Sequence, residues 1–167
     1  DKKIHILSCG RLIHVKNTLQ IINFIQKFNQ TVHDYEIVYT CIGTGPDLIN
    51  VKKAAEIKLK NIKFNLIEKV PNLVDFIKKN KIDFYINLSQ SEGMSFAVME
   101  AMSLGIPVIC SNIPGNTEII NKKNGYVLKS LDNLEMQKII TDIKQDLENK
   151  NFYKKKIEKK NFVKNRL

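Results

Sequence analysis

The sequence predicts an α/β domain of the Rossmann-like, doubly wound kind: a parallel sheet of about six strands with helices on both faces. Three observations carry this reading. Apolar runs of strand length alternate with segments of helical period almost throughout. Several of those runs are apolar at successive positions, as strands covered on both faces must be. All seven glycines fall in presumed loops, several of them directly after a predicted strand, and that is the edge where open α/β sheets bind ligands.

Taken in order, residues 4–9 read as the first strand. Residues 17–28 place Leu19, Ile22, Ile25 and Phe28 on one helical stripe. Residues 35–42 are β-branched and apolar and end at Gly43-Thr44-Gly45-Pro46. Pro46 suits the start of a helix running to about Leu59, and residues 62–67 alternate as a strand does. Pro71 opens a short helix to about Lys79, followed by a strand over residues 83–88. The stretch 89–107, SQSEGMSFAVMEAMSLGIP, holds a polar turn and then a helix that Gly105 and Pro107 end. A strand over 107–110, a short helix over 116–120 and a strand over 125–128 follow. In the last helix Met136, Ile140, Ile143 and Leu147 keep helical spacing behind a cap at Asp132.

Composition narrows the class. With 167 residues, 43% of them apolar and 26% charged, the chain has the length of one domain or of half a larger enzyme. No window approaches eighteen consecutive apolar residues, so no membrane span is expected. The chain opens directly on strand-like sequence without a leader, which suggests a domain cut from a longer chain. Cys9, Cys41 and Cys110 lie in apolar β-like runs and read as small buried hydrophobes of a reducing compartment. The formal net charge is +10, and residues 150–167 carry eight basic residues against Glu158 alone. Residues 1–149 are therefore read as the domain and 150–167 as a basic helix or tail, either a solvated face or a segment attracted to anionic lipid.

Within the stretch 89–107, Glu92 and Glu100 stand eight positions apart. Apolar neighbours surround Glu100, so its helix is expected to be buried nearly all round, where a carboxylate needs a hydrogen-bonding partner. If Ser95 caps that helix, the N–H groups of Phe96, Ala97 and Val98 are unpaired and point at the strand ends. Glu100 then reaches ligand hydroxyls such as a ribose diol, while the N–H groups hold phosphate. Glu92 would face whatever extends beyond the phosphates, and Gly93 lets backbone approach it. The alternative is a buried Glu100 paired with Arg11 or a lysine, and an exposed Glu92.

After the first strand, Arg11 and Lys16 offer two cations. Lys16 lies near a helix N-terminus, where the dipole opposes it, and its placement makes sense with an anion between them. A plain surface pair is the other reading. The dinucleotide fingerprint and the P-loop lysine are absent, which disfavours NAD enzymes and P-loop NTPases. His5, His14 and His33 show no ligand spacing, and no metal site is visible; His14 lies in the same loop and is a further candidate for an anion contact.

Residues 92–100 resemble the motif of two glutamates flanking seven residues found in retaining GT-B glycosyltransferases, and the context is similar to glycosyltransferase family 4. The family's wording is matched at Ser89, Glu92, Gly93, Glu100, Ala101, Met102, Gly105, Pro107 and Val108. Further landmarks fall in order: Gly10-Arg11-Leu12 with Lys16-Asn17, Ile42-Gly43 with Gly45-Pro46, Gly115 with Glu118, and Asn124-Gly125-Tyr126. The resemblance spans about residues 4–128 and implies one half of a GT-B fold, the nucleotide-sugar donor half, with the N-terminal acceptor domain outside this chain.

By that resemblance Arg11 and Lys16 bind the donor diphosphate, with Ser95 and Phe96 where N–H groups meet phosphate. Glu100 holds the ribose. Glu92 is the catalytic contact to the donor sugar, with Gly93, Met94 and Ser95 beside it, and the loop of Lys69 and Val70 meets the base. Two departures bear on donor identity: Thr44 replaces a common acidic residue, and Ser95-Phe96 replaces a common Gly or Pro-Val. Glu118 either frames the donor pocket or caps a helix.

The expected function is transfer of a hexose from a nucleotide diphosphate sugar, a UDP-sugar foremost, to a glycan or lipid-linked acceptor in surface polysaccharide synthesis. No metal or other cofactor is expected, this domain alone is expected to be inactive, and the location expected is the cytoplasm, peripheral at a membrane's inner face. The alternatives are a non-catalytic nucleotide-sugar-binding module and a basic nucleic-acid-binding protein. The terminal placement of the charge, without aromatic–basic interleaving, opposes the latter.

Overall fold

A computed structural model describes residues 2–149; the basic segment 150–167 lies outside the described residues, and with it the expectation of a helix or tail there. Six strands form one sheet: β1 (Lys3–Cys9), β2 (Glu36–Ile42), β3 (Lys63–Ile67), β4 (Phe84–Asn87), β5 (Val108–Ser111) and β6 (Gly125–Leu128). Their order is β3-β2-β1-β4-β5-β6, and every pair is parallel. The helices are α1 (Thr18–Thr31), α2 (Leu48–Lys58), α3 (Leu73–Asn80), α4 (Phe96–Ser103), α5 (Pro114–Thr117) and α6 (Asn133–Glu148), with a single 3-10 turn at His14–Lys16. This is the doubly wound Rossmann-like sheet expected from the alternation of apolar runs.

The period of two along each strand divides the core. Ile4 and Ile6 of β1, and Phe84 and Ile86 of β4, face α1, α2 and α6, where Phe24, Phe28, Val51 and Ile140 cover them. Leu7, Tyr85, Val108 and Cys110 face the other way, against Ile77 of α3 and Val98, Ala101 and Met102 of α4. The strands read as continuous apolar runs because each side has its own helical layer.

Several expectations are corrected here. Leu19 is 41% exposed; the buried stripe of α1 is Ile21, Ile22, Phe24, Ile25 and Phe28. Gly115 lies in α5 and Gly125 opens β6, so not all glycines are in loops. The helix expected over 116–120 is the earlier Pro114–Thr117, because Pro114 suits a first helical position.

The helix α4 is not buried all round. Val98, Ala101 and Met102 are buried, but Phe96 is 70% exposed and Glu100 is half-buried. Its ends follow local chemistry. Ser95 Oγ accepts from the Val98 N–H at 3.3 Å, which leaves the first-turn N–H groups of Phe96 and Ala97 without an intrahelical acceptor and corrects the expectation that Val98 is free as well. At the other end Gly105 takes φ 72°. Its N–H donates to Met102 O at 2.9 Å and that of Ile106 to Ala101 O at 3.1 Å, the pair of bonds by which a left-handed glycine closes a helix.

Candidate functional site

The strand order reverses between β1 and β4, which are neighbours in the sheet though far apart in sequence. Parallel connections leave these two strand ends in opposite directions, so a crevice opens at their carboxyl edge. The loops that leave β1 and β4 are stitched together across it. After β1, Gly10 N–H donates to Ile42 O at 2.9 Å and Leu12 N–H to Thr44 O at 3.0 Å, tying the loop to the end of β2. The 3-10 turn then ends at Asn17, a left-handed residue (φ 55°), whose side-chain amide donates to Leu88 O at 2.8 Å. Gln90 N–H answers with a bond to Val15 O at 2.8 Å. Lys16 is thereby carried to the loop that follows β4.

There Lys16 Nζ forms an ion pair with Glu92 Oε1, the side chains being 28% and 9% exposed. The other carboxylate oxygen, Oε2, accepts from Asn87 Nδ2 at 2.9 Å. Burial alone pushes the Glu92 carboxyl up, but hydrogen bonds from Lys16, Asn87 and Ser89, together with the Lys16 charge, outweigh it and hold the group below the usual carboxylate range. The anion beside Lys16 is thus Glu92 itself, a partner that neither reading of the Arg11 and Lys16 cations names. The paired carboxylate is Glu92 rather than Glu100. Glu100 is half-buried and belongs to no ion pair among the described residues.

Two concave spaces lie at the same carboxyl edge of the sheet and share Cys9 and Leu73 as common wall. One, of about 290 Å³, is lined by Arg11, Thr44, Lys69 and Val70 among others. The second, of about 520 Å³, is lined by Pro71, Asn72, Ala97 and Glu100. The structure therefore brings Arg11 and Val70 to one cavity, Glu100 to its neighbour, and Lys16 and Glu92 into contact. The first turn of α4 stands between Glu92 and Glu100, so an elongated anionic ligand lying along this edge would meet free N–H groups midway. Met94 and Phe96 are 72% and 70% exposed, which leaves their backbone as what they offer to the site.

Cys9 is a half-buried free thiol pushed up to about 11 by burial, with Cys41 and Glu100 adding to the shift. It is a neutral wall. His14 is exposed and lines neither cavity. Glu118 is exposed at the C-terminal end of α5, where only its backbone N–H is engaged, to Pro114 O at 3.1 Å; it neither lines the cavities nor caps a helix with its side chain. Among the described residues no group of three or more His, Cys, Asp or Glu could hold a metal ion, and no helix is long and apolar enough to cross a membrane.

Sequence reasoning passed over the layer beneath Glu92. Asn116 is fully buried and donates to Ser111 O at 3.1 Å, Ser111 Oγ at 3.2 Å and Asn87 Oδ1 at 3.4 Å. Tyr85 fixes the end of β1 by accepting from Cys9 N–H at 3.2 Å and donating to Cys9 O at 3.0 Å. One signal was available: Asn87 is an amide at the end of the otherwise apolar strand β4, all four of whose residues are buried. Gly115 belongs to this layer too. A Cβ there would lie 2.3 Å from both Glu92 O and Gly93 O, so only glycine lets α5 rest on the backbone that carries Glu92.

Comparison with known proteins covers the same ground. Glycosyltransferase 1 domain-containing protein 1 of Xenopus tropicalis is 34% identical over 130 residues, 76% of this chain and 36% of that protein. The GtfA subunit of the UDP-N-acetylglucosamine–peptide N-acetylglucosaminyltransferase of Streptococcus agalactiae is 32% identical over 131 residues, 76% of this chain and 24% of that protein. In fold, the chain is similar to the crystal structure of the pneumococcal O-GlcNAc transferase GtfA in complex with UDP and GlcNAc, with a TM-score of 0.79 at 16% identity over 98% of this chain and 33% of that one. The chain spans about a quarter to a third of the length of these proteins. The family model described as glycosyl transferases group 1 matches residues 1–161, and the chain belongs to that family.

Proposed function

We propose that this chain is the nucleotide-sugar donor domain of a retaining glycosyltransferase that moves a hexose from a nucleotide diphosphate sugar, a UDP-sugar first, to a glycan or lipid-linked acceptor. The observation that carries the reading is the alignment of the site: Val70 and Arg11 at one cavity, Glu100 at the next, and the Lys16–Glu92 pair beside the open first turn of α4. In this reading the base lies against Val70 and the ribose hydroxyls bond to Glu100. Arg11, Lys16 and the N–H groups around Ser95 and Phe96 hold the diphosphate. The backbone of Gly93, Met94 and Ser95 borders the donor sugar.

The chemistry follows from charge. Transfer leaves a diphosphate that must carry more negative charge than it did in the donor. Cationic side chains and a helix N-terminus already aimed at that position stabilise it without reorganising. We assign this task to Arg11, Lys16 and α4, without a metal. Glu92 acts as the catalytic contact to the sugar: once Lys16 turns to the diphosphate, its Oε1 is free to accept from a sugar hydroxyl. The UDP bound by the pneumococcal relative and the UDP-sugar named for the streptococcal one support UDP as the nucleotide. Because the chain spans a quarter to a third of such proteins, we assign donor binding to this chain and place the acceptor in a second, N-terminal domain. Surface polysaccharide synthesis at the inner face of a membrane would suit the basic segment 150–167.

Calorimetric titration with UDP, GDP and ADP tests the donor site. UDP is expected to bind most tightly, and Glu100→Ala to weaken it about tenfold, as loss of hydrogen bonds to a charged group does. If no nucleoside diphosphate binds, or if Glu100→Ala changes nothing, the reading is wrong. Transfer by a full-length enzyme containing this chain, abolished by Glu92→Ala, separates catalysis from a binding module. Supplying glycan, lipid-linked and peptide acceptors in parallel identifies the acceptor class.

A further inference from the structure

Glu92 is held from two sides, and the two holds differ in kind. Lys16 is a flexible cation, 28% exposed, on Oε1. Asn87 is 8% exposed and donates to Oε2 at 2.9 Å. The orientation of the Asn87 amide is not free. Its Oδ1 accepts from Ser89 N–H at 3.1 Å and from Asn116 Nδ2 at 3.4 Å. Turning the amide over would set an NH2 group against two donors, so Oδ1 must face Ser89 and Asn116, and Nδ2 must face Glu92.

Asn116 itself is fully buried, and its own Oδ1 has no hydrogen-bond partner. An orphaned buried oxygen is costly, and an apolar side chain of similar size would avoid it. What the amide supplies in exchange is an NH2 group aimed at Asn87 and Ser111. The amide's amino end is the part with a task.

We infer that Asn87, locked in one orientation by Asn116, is a positioning residue that keeps the Glu92 carboxylate aimed at the donor sugar when Lys16 exchanges Glu92 for the diphosphate. The inference rests on the donor-site reading above. Lys16 cannot serve both anions with the same hydrogen bonds. The contact at Oε1 is the one that is exchanged, whereas the contact at Oε2 persists through the cycle. Without it the carboxylate would be left with Ser89 as its remaining donor when the nucleotide sugar arrives.

The test compares the affinities of this chain for UDP and for UDP-glucose, UDP-galactose and UDP-N-acetylglucosamine, read as the ratio of UDP-sugar to UDP affinity for the sugar that binds best. Asn87→Leu is expected to lower that ratio about tenfold, the size of one hydrogen bond to a charged group, while leaving the affinity for UDP alone within about twofold. Asn116→Ala should move it in the same direction by less. The pH below which the ratio falls should also rise in Asn87→Leu, because a donor that favours the ionised carboxylate is gone. A merely structural role would weaken UDP and UDP-sugar together and leave the pH profile in place, and either result overturns the inference. Asn87→Ala, which withdraws the donor from Glu92 without adding bulk, carries the same test should Asn87→Leu not fold. Glu92→Gln separates the two levels. If it leaves the ratio unchanged, the donor-site reading fails. If it lowers the ratio and Asn87→Leu does not, the positioning role alone fails.

Discussion

At the scale of single residues, the proposed site sets Glu92 and the donor diphosphate in competition for Lys16. In the free protein Glu92 holds it, and removing that cation leaves a largely buried carboxylate with Asn87 and Ser89 as its remaining donors. Lys16→Met should therefore cost about 1–3 kcal/mol at neutral pH, the usual penalty for stripping one partner from a buried polar group. The pH dependence has a definite sign. Glu92 is held below its ordinary range in the folded state, so its contribution is present above the unfolded value and is lost as pH falls through the folded one. Urea midpoints of wild type and Lys16→Met should differ at pH 7 and draw together as pH falls below the ordinary glutamate range; a gap that stays constant through the acid limb would show that the pair contributes nothing through ionisation. The same residues show how far sequence reached. The sequence singled out Glu92, Glu100, Arg11, Lys16 and Val70 as candidates, and the structure sets them along the carboxyl edge of the sheet. Which carboxylate is paired was not legible, because burial of Glu100 was inferred from apolar neighbours that in fact include the exposed Phe96. Nor were Asn87 and Asn116 legible, since a side chain's hydrogen-bond partners depend on the packing of β4 against α5 and leave no periodic trace.

At the scale of elements, α4 and α5 set the height of the Glu92 loop. The cap at Ser95 and the left-handed Gly105 give α4 two fixed ends, and both were readable as local chemistry, as was the cap of α6 at Asp132; the cap of α3 is Asn72, one residue after the Pro71 expected to open that helix. The side on which α5 meets the loop was not, because it rests on a long-range approach of backbones. Gly115→Ala makes that approach the variable. Its Cβ would lie 2.3 Å from Glu92 O and Gly93 O, so either α5 or the loop must move. Strain of this kind lies toward the upper part of the ordinary range for single substitutions, about 2–3 kcal/mol. The expected outcome is a lower urea midpoint together with weaker UDP-sugar binding, because the displaced atoms belong to Glu92 itself. A destabilised variant that keeps full UDP-sugar affinity would show that α5 supports the fold without setting the site.

At the scale of the whole molecule, the alternation of apolar runs forecast six parallel strands but not their order, and the order is what makes the site. A sheet arranged β3-β2-β1-β4-β5-β6 puts the loops of Lys16 and Glu92 side by side, although 76 residues separate them. The ligand edge is thus built from both halves of the sheet, β1 to β3 on one side and β4 to β6 on the other. A donor bound across it should stabilise the domain as a unit, since unfolding either half would destroy the site. At a UDP concentration of about 100 times Kd, linkage predicts roughly 2.7 kcal/mol of added stability. For a domain of this size that corresponds to a rise in Tm of about 5–10 °C. The rise should be a single cooperative shift, smaller for GDP and ADP, and about half as large in Glu100→Ala at the same nucleotide concentration. Two transitions, with only one moved by UDP, would mean that the nucleotide is held by one half of the sheet, and that the crevice between β1 and β4 is not where it binds.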